Sequence, residues 1–211
     1  MPRNSEASQK KIMEVAVKIF ASKGFDGARV DEIAREAKVN KALIYYYFKS
    51  KSLILEEIFR VFHSETAELI ISYFQDKTYL DDSQWLATFF DEFMTFLEER
   101  KDIIKILITE SLKSNEKEPP IFGFMNLIFQ QDIEKYIQSM KNRGFHMSED
   151  KEQMMVTEFF TDIIPILSYV VFKDKWSRLF KIDKERLKNM FFEAYSSTHL
   201  AYHLGHHNKN T

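Results

Sequence analysis

Apolar side chains recur along this chain with the spacing of helices. Ile12, Val15, Ala16, Ile19 and Phe20 fall at i, i+3, i+4, i+7 and i+8, which is one stripe on a helix. Gly24 follows as a stop signal, and Phe25-Asp26-Gly27 reads as a turn. Val30, Ile33, Ala34 and Ala37 form a second, shorter apolar face, with Asp31 and Glu32 in the first turn where the helix dipole favours them. Asn40 is a suitable N-cap for a third short helix with Ile44 and Phe48 turned inward. Ser50 can cap a fourth, running from about Lys51 to Asp76. Further helical patterns cover roughly Ser83–Arg100, Asp102–Leu112, Pro120–Asn142, Lys151–Phe172 and Lys184–Leu204. Breaks are expected at YLDDS, SNEKEPP, NRGFHMSED and KDKWSRLFKID, and Pro165 is expected to bend the helix it interrupts. No strand-like alternation is seen. The chain reads all-α, and its first three helices have the order of a helix-turn-helix.

Composition narrows the chemistry. The 211 residues are 45% hydrophobic and include 20 Phe, enough for a substantial core. The lack of Cys excludes disulfides, thiolate catalysis and Cys-ligated zinc. No apolar run approaches the ~18 residues of a membrane span, and the polar N-terminus has no secretory h-region, so no membrane is expected and the cytoplasm is the default location. The net charge of −2 hides an asymmetry. Residues 1–52 carry eleven Lys and Arg against six Asp and Glu, whereas the remainder carries nineteen against twenty-six. A basic end of this kind points toward nucleic acid.

The segment NKALIYYYFKSKSLI, 40–54, sharpens that hint. Three adjacent tyrosines cover too much of a helix circumference to share one buried face. With Ile44 and Phe48 inward, Lys41 and Tyr45 lie one turn apart on another face, with Ala42 and Tyr46 beside them. Asn40 and Lys41 occupy the first turn, where N–H groups attract anions, and Lys49 and Lys51 stand at the far end. Hydroxyls, ammoniums and a helix N-terminus on one side are groups that hold DNA phosphates, and small Ala42 permits close approach to bases. Tyr47 points nearer the core side.

The stretch AVKIFASKGFDGARVDEIAREAKVNKALIYYYFKSKSLI resembles the TetR family of bacterial transcription regulators. The resemblance spans about Ile12 to Leu53. It implies a DNA-binding domain over residues 1–52 and a helical ligand-binding and dimerisation domain over 53–211. The implied partners are a double-stranded palindromic operator, a second copy of the chain as a homodimer, and a small apolar ligand that releases DNA; repression is the family's usual mode. The implied DNA contacts are Arg29, Asn40, Lys41, Ala42, Tyr45, Tyr46, Tyr47 and Lys51, with Lys41 and Tyr45 on bases and Tyr46 and Lys51 on phosphates. The chain departs from the family pattern at Arg29 (usually Thr or Ser), Lys38 and Ala42 (usually Gly) and Leu43 (commonly Thr). Candidate pocket residues are Phe89, Phe93, Phe96, Phe124, Phe129, Phe159 and Tyr169, with Glu110, Asn126 and Asp162 to orient a ligand. The last two helices are the implied dimer face.

No cofactor is expected and no metal site is assigned. His199 and His203 are one helical turn apart and His206 and His207 follow, but no carboxylate has a spacing that completes a ligand set, so a polar tail is the preferred reading. An enzyme is disfavoured: the five glycines cannot make a phosphate loop or GxGxxG, and HExxH is absent. A helical small-molecule or lipid carrier without DNA function is the alternative.

Overall fold

The computed structural model describes residues 3–75, 82–114, 119–123, 133–142, 145–148 and 150–205. These contain helices and no strand. The helices are α1 (Arg3–Gly27), α2 (Val30–Ala37), α3 (Lys41–Tyr47), α4 (Lys51–Gln75), α5 (Asp82–Glu99), α6 (Lys101–Lys113), α7 (Ile133–Asn142), α8 (Lys151–Phe180) and α9 (184–205). The chain divides into two compact units, one of Met1–Glu68 with Asp102–Phe124 and one of Leu69–Lys101 with Met125–Thr211. A boundary after Ser52 therefore describes the part proposed to touch DNA. By compactness, α1 to α3 belong with the first part of α4 and with most of α6.

In the first unit the apolar stripes become the core as the periodicity requires. Ile12, Ala16, Ile19 and Phe20 of α1, Ile33, Ala34 and Ala37 of α2, and Ile44 and Phe48 of α3 are all buried. Val15 and Val30 are half-buried. Gly24 sits at φ 74°, ψ 162° inside α1, a backbone region open essentially to glycine, and it ends the regular part of that helix. The turn between α2 and α3 places Lys38 at φ 57°, where its N–H bonds back to the carbonyls of α2 and Val39 N donates to Ala34 O at 3.0 Å. The turn thus has the left-handed C-cap geometry that usually selects glycine, imposed here on a lysine. Asn40 caps α3 by accepting from Leu43 N at 2.6 Å, and Ser50 caps α4 by accepting from Leu53 N at 3.2 Å.

In the second unit, α5, α8 and α9 are tied by ions. Asp174 of α8 accepts from Lys101 and from Lys184 (2.8 Å), Lys188 of α9 meets Asp91 of α5 at 2.9 Å, and Lys173 pairs with Glu98. The two lysines hold the Asp174 carboxyl well below the ordinary carboxylate range. The break expected across 173–183 is much shorter than its sequence implied. Helix α8 continues to Phe180, because KDKWSRLF contains neither Gly nor Pro, and it stops only at Lys181, whose φ of 54° caps it. Asp183 then starts α9 by accepting from Glu185 N and Arg186 N.

Two stretches widen to π-helical turns, Glu158–Ile163 in α8 and Ser196–Leu200 in α9. The first precedes Pro165, which has no N–H to give to the carbonyl four residues back. Ile164 N instead reaches Phe159 O, five residues back. The expected disturbance at the proline is therefore a widened turn. Helix α8 has an 18-residue window of mean hydropathy 1.6, of which 33% is buried; by length and composition alone it could cross a membrane, a test that the core helix of a soluble protein also passes.

Backbone geometry yields opposite effects at two positions. Gly24→Ala is expected to destabilise by about 1–3 kcal/mol, because its conformation strains any Cβ. Lys38→Gly is expected to be neutral or to stabilise by up to about 1 kcal/mol, relief of left-handed strain outweighing added chain entropy. Chemical denaturation monitored by circular dichroism measures both. Asp174→Asn should cost about 0.5–1 kcal/mol at pH 7, a figure kept small because the pair is partly solvated. Since the carboxyl is depressed in the folded chain, its contribution is complete above the ordinary carboxylate pKa of about 4 and declines as pH falls below it. Melting of both proteins at pH 7 and pH 3 should show the difference shrinking at the lower pH.

Candidate nucleic-acid interface

Helix α3 is seven residues long and buries Ile44; Phe48, its C-cap, is buried just beyond its end. The remaining circumference faces out. Tyr45 is 41% exposed and Tyr46 71%, and Ala42 is exposed between Lys41 and the phenols. Tyr47 is half-buried, with its ring 5.2 Å from that of Tyr46 and 6.4 Å from that of Phe48, both edge-on. The tyrosine row therefore splits as its register demands, two rings outward and one leaning on the core.

The charged groups are less uniform than the sequence implied. Lys41 Nζ lies 2.7 Å from Asp31 Oδ1, and that hydrogen bond raises the lysine pKa. Both side chains are exposed, so the pair is weak and can be exchanged for another anion. Arg29 stands at the N-cap of α2 without a side-chain cap bond, and Lys38 and Lys49 are exposed. Lys51 differs. Its ammonium donates to the carbonyls of Phe25 at 2.6 Å and Ala28 at 3.0 Å, and it lies 4.3 Å from the centre of the Phe25 ring. It clamps the end of α1 and the approach to α2 onto α4. The ammonium is thus engaged within the head, and no sequence spacing reveals that a lysine 26 residues after Phe25 returns to cap its carbonyl.

The described candidate pocket residues make the following contacts. Phe89 stacks on Phe93 at 5.4 Å and meets Tyr73 edge-on at 5.1 Å. Phe96 lies 3.7 Å beneath the Arg100 guanidinium. Phe159 meets Phe160 edge-on at 4.9 Å. Asp162 accepts from the Tyr195 hydroxyl at 2.6 Å, and burial raises its pKa to about 6. Tyr169 stacks on Phe191 at 4.2 Å. Glu110 belongs to the first unit, where it pairs with Lys113 at 3.0 Å. Phe124, Asn126 and Phe129 lie outside the described residues. An open apolar cavity of about 790 Å³ in the second unit is lined by Tyr169 together with Pro165, Phe172, Trp176, Leu179 and Met190, among others, from α8 and α9. Of the described candidates, Tyr169 lines it.

Known proteins agree with this geometry. Residues 12–58 match the family model described as bacterial regulatory proteins, tetR family. The chain is 27% identical over 186 residues to the biofilm operon icaADBC HTH-type negative transcriptional regulator IcaR of Staphylococcus aureus, a match covering 88% of this chain and 94% of that one. It shares its fold with a TetR family transcription regulator from Marinobacter aquaeolei VT8, at a TM-score of 0.68 and 17% identity over 93% of this chain and 97% of that one. It is likewise similar to the transcriptional regulator FadR from Bacillus subtilis, whose structure is a complex with stearoyl-CoA, at a TM-score of 0.64 and 20% identity, covering 88% and 96%. The helix-turn-helix head carries the match to the tetR family of bacterial regulatory proteins, and the chain is similar along nearly its full length to the relatives named above.

Proposed function

We propose that this chain is a cytoplasmic homodimeric repressor that lays α3 in the major groove of a palindromic operator and leaves it when a largely apolar small molecule binds. The observation that carries the DNA reading is the outward face of α3, where exposed Tyr45 and Tyr46 flank Ala42 and an exchangeable Lys41 above buried Ile44. Lys41 and Tyr45 reach bases. Tyr46, Arg29 and the half-exposed Tyr47 hold the backbone, and Asn40 orients the helix N-terminus by capping it. Lys51 serves by holding α1 and α4 in register and is placed here as a positioning residue. Negative regulation by IcaR, the 27% identical relative, supports repression. The stearoyl-CoA complex of FadR, a fold likeness, supports an apolar ligand for the second unit. Phe89, Phe93, Phe96, Phe159, Asp162 and Tyr169 are the described candidates of the second unit to contact it.

Dimerisation falls to α8 and α9. Leu179 is 74% exposed, and Phe172, Trp176, Phe180 and Met190 are each about half exposed, bordering the open cavity. So much apolar surface on two adjoining helices is what a second copy would cover. The pairing sets two heads at a fixed spacing and so selects a palindrome. Ligand binding that disfavours this spacing weakens DNA binding, and DNA weakens ligand binding by the same factor.

Selection of duplexes from a random pool is expected to return a palindromic site; recovery of unrelated sequences would count against the DNA reading. Affinity for that site should fall steeply, by ~10³-fold or more, between about 50 and 200 mM salt, whereas a ligand carrier would show no such slope. Tyr46→Phe should weaken binding about equally for all sequences, and Lys41→Ala should also relax base preference. Lys51→Ala should lower the melting temperature of the free protein, as its internal bonds require. For the dimer, sedimentation velocity of a Trp176→Glu/Leu179→Glu variant should show monomer where the wild type sediments as dimer; an unchanged dimer would place the interface elsewhere.

A further inference from the structure

The second unit buries three ionisable side chains against one another, Glu158 of α8 and His199 and His203 of α9, at 9%, 5% and 4% exposure. Their donor atoms all lie within 4.8 Å of one another. Nε2 of His203 is 3.2 Å from Glu158 Oε1, and Nε2 of His199 is 3.7 Å from Oε2. These separations bracket the ~3.3 Å between neighbouring donors on a tetrahedral metal with bonds of about 2.0–2.1 Å.

The outer nitrogens determine what the inner ones can do. His203 Nδ1 lies 2.6 Å from the carbonyl oxygen of His146, to which it can only donate. His146 N in turn donates to His203 O at 2.6 Å, and Phe145 and Met147 on either side are buried with Met140 and Met154, so this strut is anchored in the core. His199 Nδ1 lies 2.8 Å from Thr161 Oγ1. The Thr161 hydroxyl donates to the Thr157 carbonyl at 2.7 Å, so toward His199 it accepts. Both imidazoles therefore carry their proton on Nδ1 in the neutral form, and both turn an unprotonated Nε2 toward the carboxylate. Glu158 Oε1 is buried 3.2 Å from His203 Nε2, and with that nitrogen unprotonated it has no donor; only a proton added to His203 or a cation between them would satisfy it. Two lone pairs and a carboxylate facing one another out of water repel unless a positive charge stands among them.

We propose that Glu158, His199 and His203 form a binding site for a divalent transition-metal ion, Zn²⁺ or a similar borderline cation. Two imidazole nitrogens and one carboxylate oxygen are the donor set such ions take, with a position left for water or a small ligand. The Nδ1 partners, the His146 carbonyl and the Thr161 hydroxyl, are the outer contacts that fix ligand tautomer and ring angle. Both helices are π-widened at the site: Glu158 opens one such turn and His199 lies in the other. Widened turns of this kind recur where a helix turns side chains to a functional centre. The missing carboxylate is what hid the site from the sequence, since Glu158 precedes His199 by 41 residues. The site stands apart from the DNA reading and does not depend on it.

The test is titration of the chelator-stripped full chain with Zn²⁺, followed by calorimetry, and with Co²⁺, followed by visible absorption. One ion per chain should bind in the micromolar range or tighter, with a d–d spectrum of low coordination number and a rise in melting temperature. His203→Ala and Glu158→Gln should each weaken binding by roughly 100-fold or more, and Thr161→Val by roughly 10-fold, as loss of an outer partner does. His206→Ala/His207→Ala is the control for the histidine-rich tail and should leave binding unchanged. Circular dichroism of each variant shows whether it folds; should His203→Ala fail to, Glu158→Gln, which keeps the shape of the side chain, decides. Binding that is absent, that survives Glu158→Gln, or that disappears with the tail histidines overturns the proposal and leaves a buried imidazolium–carboxylate pair in its place.

Discussion

A helix of two turns has one side to bury. That constraint governs the part of this protein proposed to face DNA. Ile44, with Phe48 just past the helix end, fixes the register of α3 against α1 and α2. Once those two are inside, the register leaves Tyr45 and Tyr46 nowhere to go but out. An outward phenol is an amphipathic group, a flat ring with a hydroxyl at its tip, and α3 presents two of them beside alanine. The face is thus a consequence of the packing beneath it. A change that rotated α3 would remove the interface without touching a single contacting residue.

The electrostatics of the head follow from magnitudes as well as from signs. Its positive surplus is partly engaged within the protein: Lys23 pairs with Glu32 at 2.5 Å, Arg35 with Glu36 at 3.2 Å, Lys41 with Asp31 at 2.7 Å. These pairs are screened by solvent and weak, so a phosphate can displace them. Lys51 is of another kind, because its ammonium satisfies two carbonyl oxygens at a helix end in a partly buried place and stacks on a ring. Removing it would leave those acceptors without their donor, a cost of about 1–3 kcal/mol. The same residue type, ten positions apart, therefore does two different jobs, and the difference is burial.

This explains which parts of the molecule were legible in the sequence. Helix positions and the core of the head follow from local periodicity, and both caps, Asn40 and Ser50, act through bonds three residues away. Features built from distant residues left no local trace. The Lys51 clamp spans 26 positions, the Lys101–Asp174 bond 73, and the strut from His146 to His203 57. The break expected at 173–183 shrinks to the few residues around Lys181. Charge does not end a helix when an acid in it is held by two lysines, as Asp174 is. Ring contacts of the candidate pocket residues are legible only where they are local, as between Phe89 and Phe93 or Phe159 and Phe160.

The two widened turns have unequal causes, and the inequality bears on what the second unit is for. In α8 the proline is sufficient, since a residue without an N–H forces its neighbours to rearrange their bonds. In α9 the sequence SSTHL contains no proline. Hydroxyls of Ser197 and Thr198 bond to the carbonyls of Glu193 and Ala194, competing with the regular ladder, but serine and threonine do this in many helices that stay regular. What sets this turn apart is that it brings His199 and Leu200 both inward, with His203 following on the buried side. Burying two imidazoles beside a carboxylate gains little from the hydrophobic effect, and a leucine at either position would gain more. A core built for stability alone would not widen a helix to arrange that, so the geometry is better accounted for by something the three side chains hold in common.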